Sequence, residues 1–148
     1  MKNDRFFTAK FFKGEEEEKF QIMEQDEQMA GFKGMDFDKV QLKTCLEPGE
    51  VSISGEETLK RLKKNKGVRL DAAMLQLLLA SPRNIPESWK MEVNGDTPYI
   101  HFDGTVLLTP SGDRVTFYFH WCSNSPDIFL AHLEEKRDAN DFSAIFTA

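Results

Sequence analysis

Cysteine is scarce in this chain, and so are the patterns that usually carry chemistry. Cys45 and Cys122 are its only cysteines. They lie far apart, and Met1-Lys-Asn-Asp-Arg-Phe-Phe lacks the apolar stretch of a secretory signal, so reduced thiols are expected rather than a disulfide scaffold. No apolar run approaches the roughly 18 residues that a membrane helix needs, which excludes that class of membrane protein. The expected setting is cytoplasmic. With three histidines in 148 residues, there is no His-x-x-x-His and no Cys-x-x-Cys. Gly-x-Ser-x-Gly is absent too, and Gly31-Phe-Lys-Gly34 is too short for a phosphate loop. A net charge of -6 argues against non-specific nucleic-acid binding, which needs a basic surface to displace counterions. It suits contact with a basic partner. The one cationic cluster, Lys60 to Lys66 with Arg69, reads as a solvated helix face.

What is present is folding information. Hydrophobic residues make up 40% and charged residues 30%, a balance that supports a packed core. From Pro98 to Trp121 two alternating runs flank a turn. Ile100, Phe102, Val106 and Leu108 share one face of the first run. Val115, Phe117, Phe119 and Trp121 share one face of the second. Period-two alternation marks half-buried strands, and Pro110-Ser111-Gly112-Asp113 is turn chemistry. Ser54 with Glu57 forms a capping-box pattern ahead of Leu59 and Leu62. Asp71 caps a second stripe of Met74, Leu75, Leu78 and Leu79. Helices are therefore expected over 55–65 and 72–81. Asn94-Gly95 is a tight-turn signal, with a short strand expected over 90–93. Residues 127–133 read locally as a helix start or as a third strand.

The first 45 residues differ in texture. Seven of the thirteen phenylalanines fall here, around the run Glu15 to Glu18. The chain thus divides into a Phe/Glu-rich segment over 1–45 and a compact domain over 46–148. The segment supplies either extra strands or a binding arm. Phe6, Phe7, Phe11, Phe12, Glu15, Glu16, Glu17 and Glu18 are its candidate contact residues.

Several local patterns form a series: Leu70 to Ala72, Ile85 to Lys90, Ile100 to Thr105, Gly112 to Arg114, Phe117 to Trp121, and Asn140 to Ala144. Over roughly 54–148 this series resembles a group of short bacterial proteins to which no activity is attached. The resemblance implies a strand over 127–133 and carries over no functional residue.

One constellation has chemical interest. If the turn closes on Thr109 and Arg114, Leu108 faces Val115 and Asp103 lies opposite His120, with His101 diagonal to it. His101, Asp103 and His120 then share the outer face, as candidate metal ligands or as a general base with its orienting acid.

The expected fold is α+β: two short helices on a small antiparallel meander, with a core of Leu59, Leu62, Leu75, Leu78, Trp89, Ile100, Phe102, Val106, Leu108, Val115, Phe117, Phe119 and Trp121. The expected function is a non-catalytic protein-binding or regulatory module with no cofactor, its partner another protein or a second copy at an exposed sheet edge. The alternatives are an inhibitor of a bacterial enzyme encoded by a phage or mobile element, and a small metal-assisted enzyme using the three outer-face residues.

Overall fold

The computed structural model describes residues 5–9, 18–26, 36–65 and 67–147. Its helices start where the caps predict. Ser54 Oγ accepts from Glu57 N at 3.0 Å and opens α1 (Gly55–Lys63), which buries Leu59 and Leu62. Asp71 Oδ1 accepts from Met74 N at 2.9 Å and opens α2 (Ala72–Ala80), which buries Met74, Leu75 and Leu78. Each cap satisfies a backbone N–H that the first turn leaves without a helical partner.

Earlier in the chain come β1 (Phe6–Ala9), β2 (Glu18–Gln25), β3 (Gln41–Lys43) and β4 (Ile53–Ser54); β5 (Val68–Arg69) lies between the helices. The alternating runs form β6 (Tyr99–Leu108) and β7 (Arg114–Cys122). Next come β8 (Ser125–His132), β9 (Lys136–Arg137) and β10 (Asp141–Phe146). Ser123 and Asn124 both have positive φ, 51° and 65°, so a two-residue turn folds β8 back on β7. That turn decides between helix and strand at 125–132. Pro126 is tolerated there because β8 is bonded on one side only, to β7, among the described residues.

Eight of these strands make one mainly antiparallel sheet, larger than the sequence suggests. On one side of β6 lies β7. The other side is shared by antiparallel β2, beside Thr105 to Leu108, and parallel β10, beside Tyr99 to His101. Strands β3 and β5 pair with β10, and β4 with β9 forms a second, two-stranded sheet. The described parts of 1–45 thus include three strands of the main sheet. No helix among the described residues is long and apolar enough to cross a membrane.

The β6–β7 register departs from expectation. Near the turn Leu108 pairs with Arg114 and Leu107 with Val115. Beyond an irregularity, Phe102 pairs with Phe117 and Tyr99 with His120. The turn closes one residue early, with Thr109 N donating to Asp113 O at 2.9 Å, and Gly104 is the physical reason for the further slip. Its N–H donates to Leu70 O at 2.8 Å, and its carbonyl accepts from Asp26 N at 2.7 Å. A Cβ there would lie 2.4 Å from Arg69 O. The crossing chain at Arg69 and Leu70 therefore bends β6 at the one residue that has no side chain. The bulge puts Leu107 in the main core in place of the expected Leu108. Val106 turns to a separate cluster with Leu59 and Leu133. Trp121 is only partly buried and packs at the edge of the main core.

The short strand expected over 90–93 does not form: residues 87–90 form a 3-10 turn, and of 91–93 only Val93 makes a bridge. The turn sinks Trp89 between Phe37, Phe102 and Phe119, at ring separations of 6.4, 6.2 and 5.6 Å. The Asn94-Gly95 turn forms as expected, closed by a Val93–Asp96 bridge.

Candidate functional site

The outer face of β6 and β7, opposite Trp89, is where the polar residues gather. Asp103 leaves β6 on this face and is fully buried. It accepts from Arg137 through two parallel bonds, Nη1 to Oδ2 at 2.8 Å and Nη2 to Oδ1 at 2.9 Å. Ser143 Oγ donates to the same carboxylate at 2.6 Å, and Arg137 Nη2 donates to Thr116 Oγ1 at 3.3 Å. Arg137 is 5% exposed; β9 places it there by pairing with β4. Burial alone pushes the Asp103 carboxyl up. The charge and hydrogen bonds of Arg137 outweigh that and hold it well below the usual carboxylate range. A pair with this fork geometry and further hydrogen bonds is the kind that survives desolvation.

His101 sits beside this pair, 3% exposed. Its Nε2 lies 2.9 Å from Asp141 Oδ1. Burial, and then the charge of Arg137, lowers the imidazole pKa. Asp141 is also lowered: burial opposes this, but bonds from His101 and from Asp138 N prevail. A neutral imidazole beside an ionised carboxylate must place its proton on Nε2. Nδ1 is then an acceptor, and it has no hydrogen-bond partner among the described residues.

Aromatic rings continue the face. Tyr99 stacks on His120 at 4.1 Å, with 4° between planes. Its hydroxyl donates to Asp96 Oδ2 at 2.9 Å, and that bond, with burial, pushes its pKa up to about 12. Thr97 Oγ1 donates to Trp121 O at 2.6 Å, so the 2.9 Å contact between Thr97 Oγ1 and His120 Nε2 is a bond that His120 donates. The Tyr118 ring lies 5.3 Å from His101 and 5.5 Å from Phe129. After β8 the chain turns back through Glu135 to Asp138. Between this return and the sheet lies a cleft of about 320 Å³, lined by Tyr99, His101, Tyr118, Leu130 to His132, Glu135 to Asp138 and Asp141.

The three outer-face candidates are not brought together on one centre. His101 bonds Asp141, His120 bonds Thr97, and Asp103 bonds Arg137 and Ser143. His120 lies opposite Tyr99, not Asp103. The bulge at Gly104 is again the cause. Of the N-terminal candidates, Phe6 is 50% exposed with Lys19 Nζ over its ring at 4.8 Å. Phe7 packs on the core, 5.9 Å from the Phe117 ring. Glu18 is the first residue of β2. Phe11, Phe12, Glu15, Glu16 and Glu17 lie outside the described residues.

Arg137, Asp141 and Tyr118 carry the cleft yet drew no attention in the sequence. Asp141 belongs to the Asn140 to Ala144 pattern, and Arg137 reads as one more surface charge. A second group, Asp113, His132 and Glu134, brings ligand-type atoms within 4.8 Å of one another, none of the three buried. Part of the basic helix end is paired: Arg61 bonds Glu50 and Glu57, and Lys63 bonds Glu24. Cys45 and Cys122 are both free thiols. No protein-family model, curated protein or solved structure matches this chain.

Proposed function

We propose that this protein is a non-catalytic binding module that takes an extended segment of another protein along the free edge of β8. One observation carries the reading. All eight residues of β8 pair with β7, and no strand lies on the opposite side among the described residues. Pro126 has no N–H and His132 bonds Glu135 through both its N–H and its C=O, so the stretch between them offers the unpaired groups that an added strand would satisfy. Phe129, 46% exposed, supplies an apolar anchor on that edge. The net charge of -6 favours a basic partner by electrostatic steering. The best-placed titratable groups, His101, Asp103 and His120, each have a separate partner, which supports a structural use of them.

The test is selection from a random peptide library, with the winners mapped by amide hydrogen exchange. Added protection should concentrate on residues 125–132, and Phe129→Glu should weaken binding at least tenfold. Protection confined to another edge, such as β1, would refute the reading.

A further inference from the structure

The edge of β8 has a phase and two faces, and together they describe the strand that fits it. The phase comes first. Ser123 and Asn124 make the turn, so Cys122 and Ser125 close it as a hydrogen-bonded pair. Leu133 N donates to Arg114 O at 3.0 Å, in the same phase. Ser125, Asp127, Phe129 and Ala131 therefore spend their backbone groups on β7, and the residues between them point theirs outward. Pro126 and His132 are closed, which leaves Ile128 and Leu130, each with one free N–H and one free C=O among the described residues.

An added antiparallel strand forms hydrogen-bonded pairs at Ile128 and Leu130. Its residues opposite Asp127, Phe129 and Ala131 then fall in the other kind of pair. There the Cα atoms are about 4.5 Å apart instead of about 5.5 Å, and side chains meet more closely. Selectivity therefore resides at those positions.

The faces come next. Phe129 pairs with Tyr118, and Asp127 with His120, on the outer face. The rings of Tyr99, Tyr118 and Phe129 form a row, spaced at 5.8 and 5.5 Å. The row stops at the edge, where Phe129 is 46% exposed, and one more ring opposite Phe129 would extend it. Beside it, the half-buried Asp127 carboxylate has no hydrogen bond or ion pair among the described residues. A cation opposite Asp127 would complete a cross-strand pair. On the inner face Ile128 and Leu130 pack on the margin of the main core, so aliphatic residues opposite them would continue it.

We propose, on the premise that β8 takes an added strand, that the partner runs antiparallel and carries four residues in order: an aliphatic residue opposite Leu130, an aromatic one opposite Phe129, an aliphatic one opposite Ile128, and arginine or lysine opposite Asp127. A second copy of this chain fits less well. Pairing β8 with itself about Phe129 sets Ala131 opposite Asp127 and brings together two chains of net charge -6.

The experiment is a titration of the full chain with a cyclic hairpin peptide whose recognition strand reads Thr-Val-Tyr-Val-Arg, followed by amide NMR and hydrogen exchange. Three further probes run alongside: arginine replaced by glutamate, tyrosine replaced by serine, and the reversed order Arg-Val-Tyr-Val-Thr. The first peptide should add protection at the Ile128 and Leu130 amides, with a dissociation constant on the order of 0.1 mM for so short a strand. The glutamate probe should bind at least tenfold more weakly. The serine and reversed probes should each lose several-fold, the latter because its arginine faces Ala131. Asp127→Lys should invert the preference between arginine and glutamate, and lysine is well tolerated on an edge strand. Asp127→Asn should bring those two probes close together. Equal affinities with protection at Ile128 and Leu130 would overturn this proposal and leave the edge reading standing. No added protection there from any probe or library-selected peptide would overturn both. A reversed probe that binds best makes the added strand parallel and overturns the proposal. Concentration-dependent protection at these amides without a probe assigns the edge to a second copy and overturns it too.

Discussion

Replacing Asp103 with asparagine would leave the Arg137 guanidinium buried without its counter-charge. Arg137 is 5% exposed and Asp103 is fully buried, so solvent does little to screen the loss. Removing one partner of a buried pair costs about 3–5 kcal/mol, because the surviving charge is stranded. The bond from Ser143 at 2.6 Å also loses its charged acceptor, roughly a further 1 kcal/mol. Asparagine keeps one carbonyl for Arg137, so the expected loss lies below that combined range, at about 3 kcal/mol. At this chain length that corresponds to roughly 6–12 °C in Tm. Arg137→Met should lose a comparable amount, moderated if Asp103 takes up a proton. The double variant Asp103→Asn with Arg137→Met strands no charge and should lose much less than the sum of the single losses. Urea melts of the four proteins at neutral pH supply the cycle. A loss under about 1 kcal/mol for Asp103→Asn, or strict additivity, would refute the view that the pair is desolvated and coupled.

Other outcomes follow from the same geometry. The His101 pKa is lowered on folding, in surroundings that include Arg137, Asp103, Asp141 and Tyr118. The unfolded chain therefore binds the extra proton first, and stability should fall as pH drops below about 6.5 and stay flat in this term above it. His101→Gln should flatten that limb in urea midpoints taken from pH 8 to 5. Asp103 and Asp141 are lowered too, so their contribution is present above about pH 4 and is lost as pH falls further, seen as a second, steeper decline. Gly104→Ala would drive a methyl to 2.4 Å from Arg69 O and 2.8 Å from Leu70 C. Because both are backbone atoms, a loss at the top of the usual overpacking range, about 3 kcal/mol, is expected in thermal melts. Asp71→Ala removes the cap on Met74 N and the acceptor of Gln25 Nε2 at 2.7 Å; about 1–2 kcal/mol should go, most of it restored by Asp71→Asn.

Local rules carried the sequence reading far. Ser54 and Asp71 start helices because side-chain oxygens reach N–H groups three residues on, a relation contained in a few consecutive letters. The alternation in 99–121 likewise gives two strands and their turn. The register was another matter, because the bulge is caused by a chain segment some thirty residues earlier crossing at Gly104. A glycine in a strand signals that something passes close, but not what, nor how far the pairing slips. The cleft was hidden for a similar reason. Asp103 looked like a solvent-face residue, since nothing in the run Glu134-Glu-Lys-Arg137 distinguishes the one charge that folds inward. Only the pairing of β9 with β4 fixes that choice. The parallel placement of β10 beside β6 has no short-range signature at all.

The central place of β6 also has a kinetic side. Its partners on one flank, β7 and then β8, arrive through turns of a few residues. On the other flank, Thr105 must find Gln25, eighty positions back, and β10 must find both β6 and β3. Loop closure over such spans is slow, and topologies rich in them fold in milliseconds to seconds. The three-stranded meander should therefore form early and wait with one hydrogen-bonding edge of β6 bare. During that interval the strand best suited to organise the molecule is also its most aggregation-prone surface. Conditions that prolong the wait, such as high protein concentration on refolding from denaturant, should reduce the yield of monomer more than the equilibrium stability would suggest.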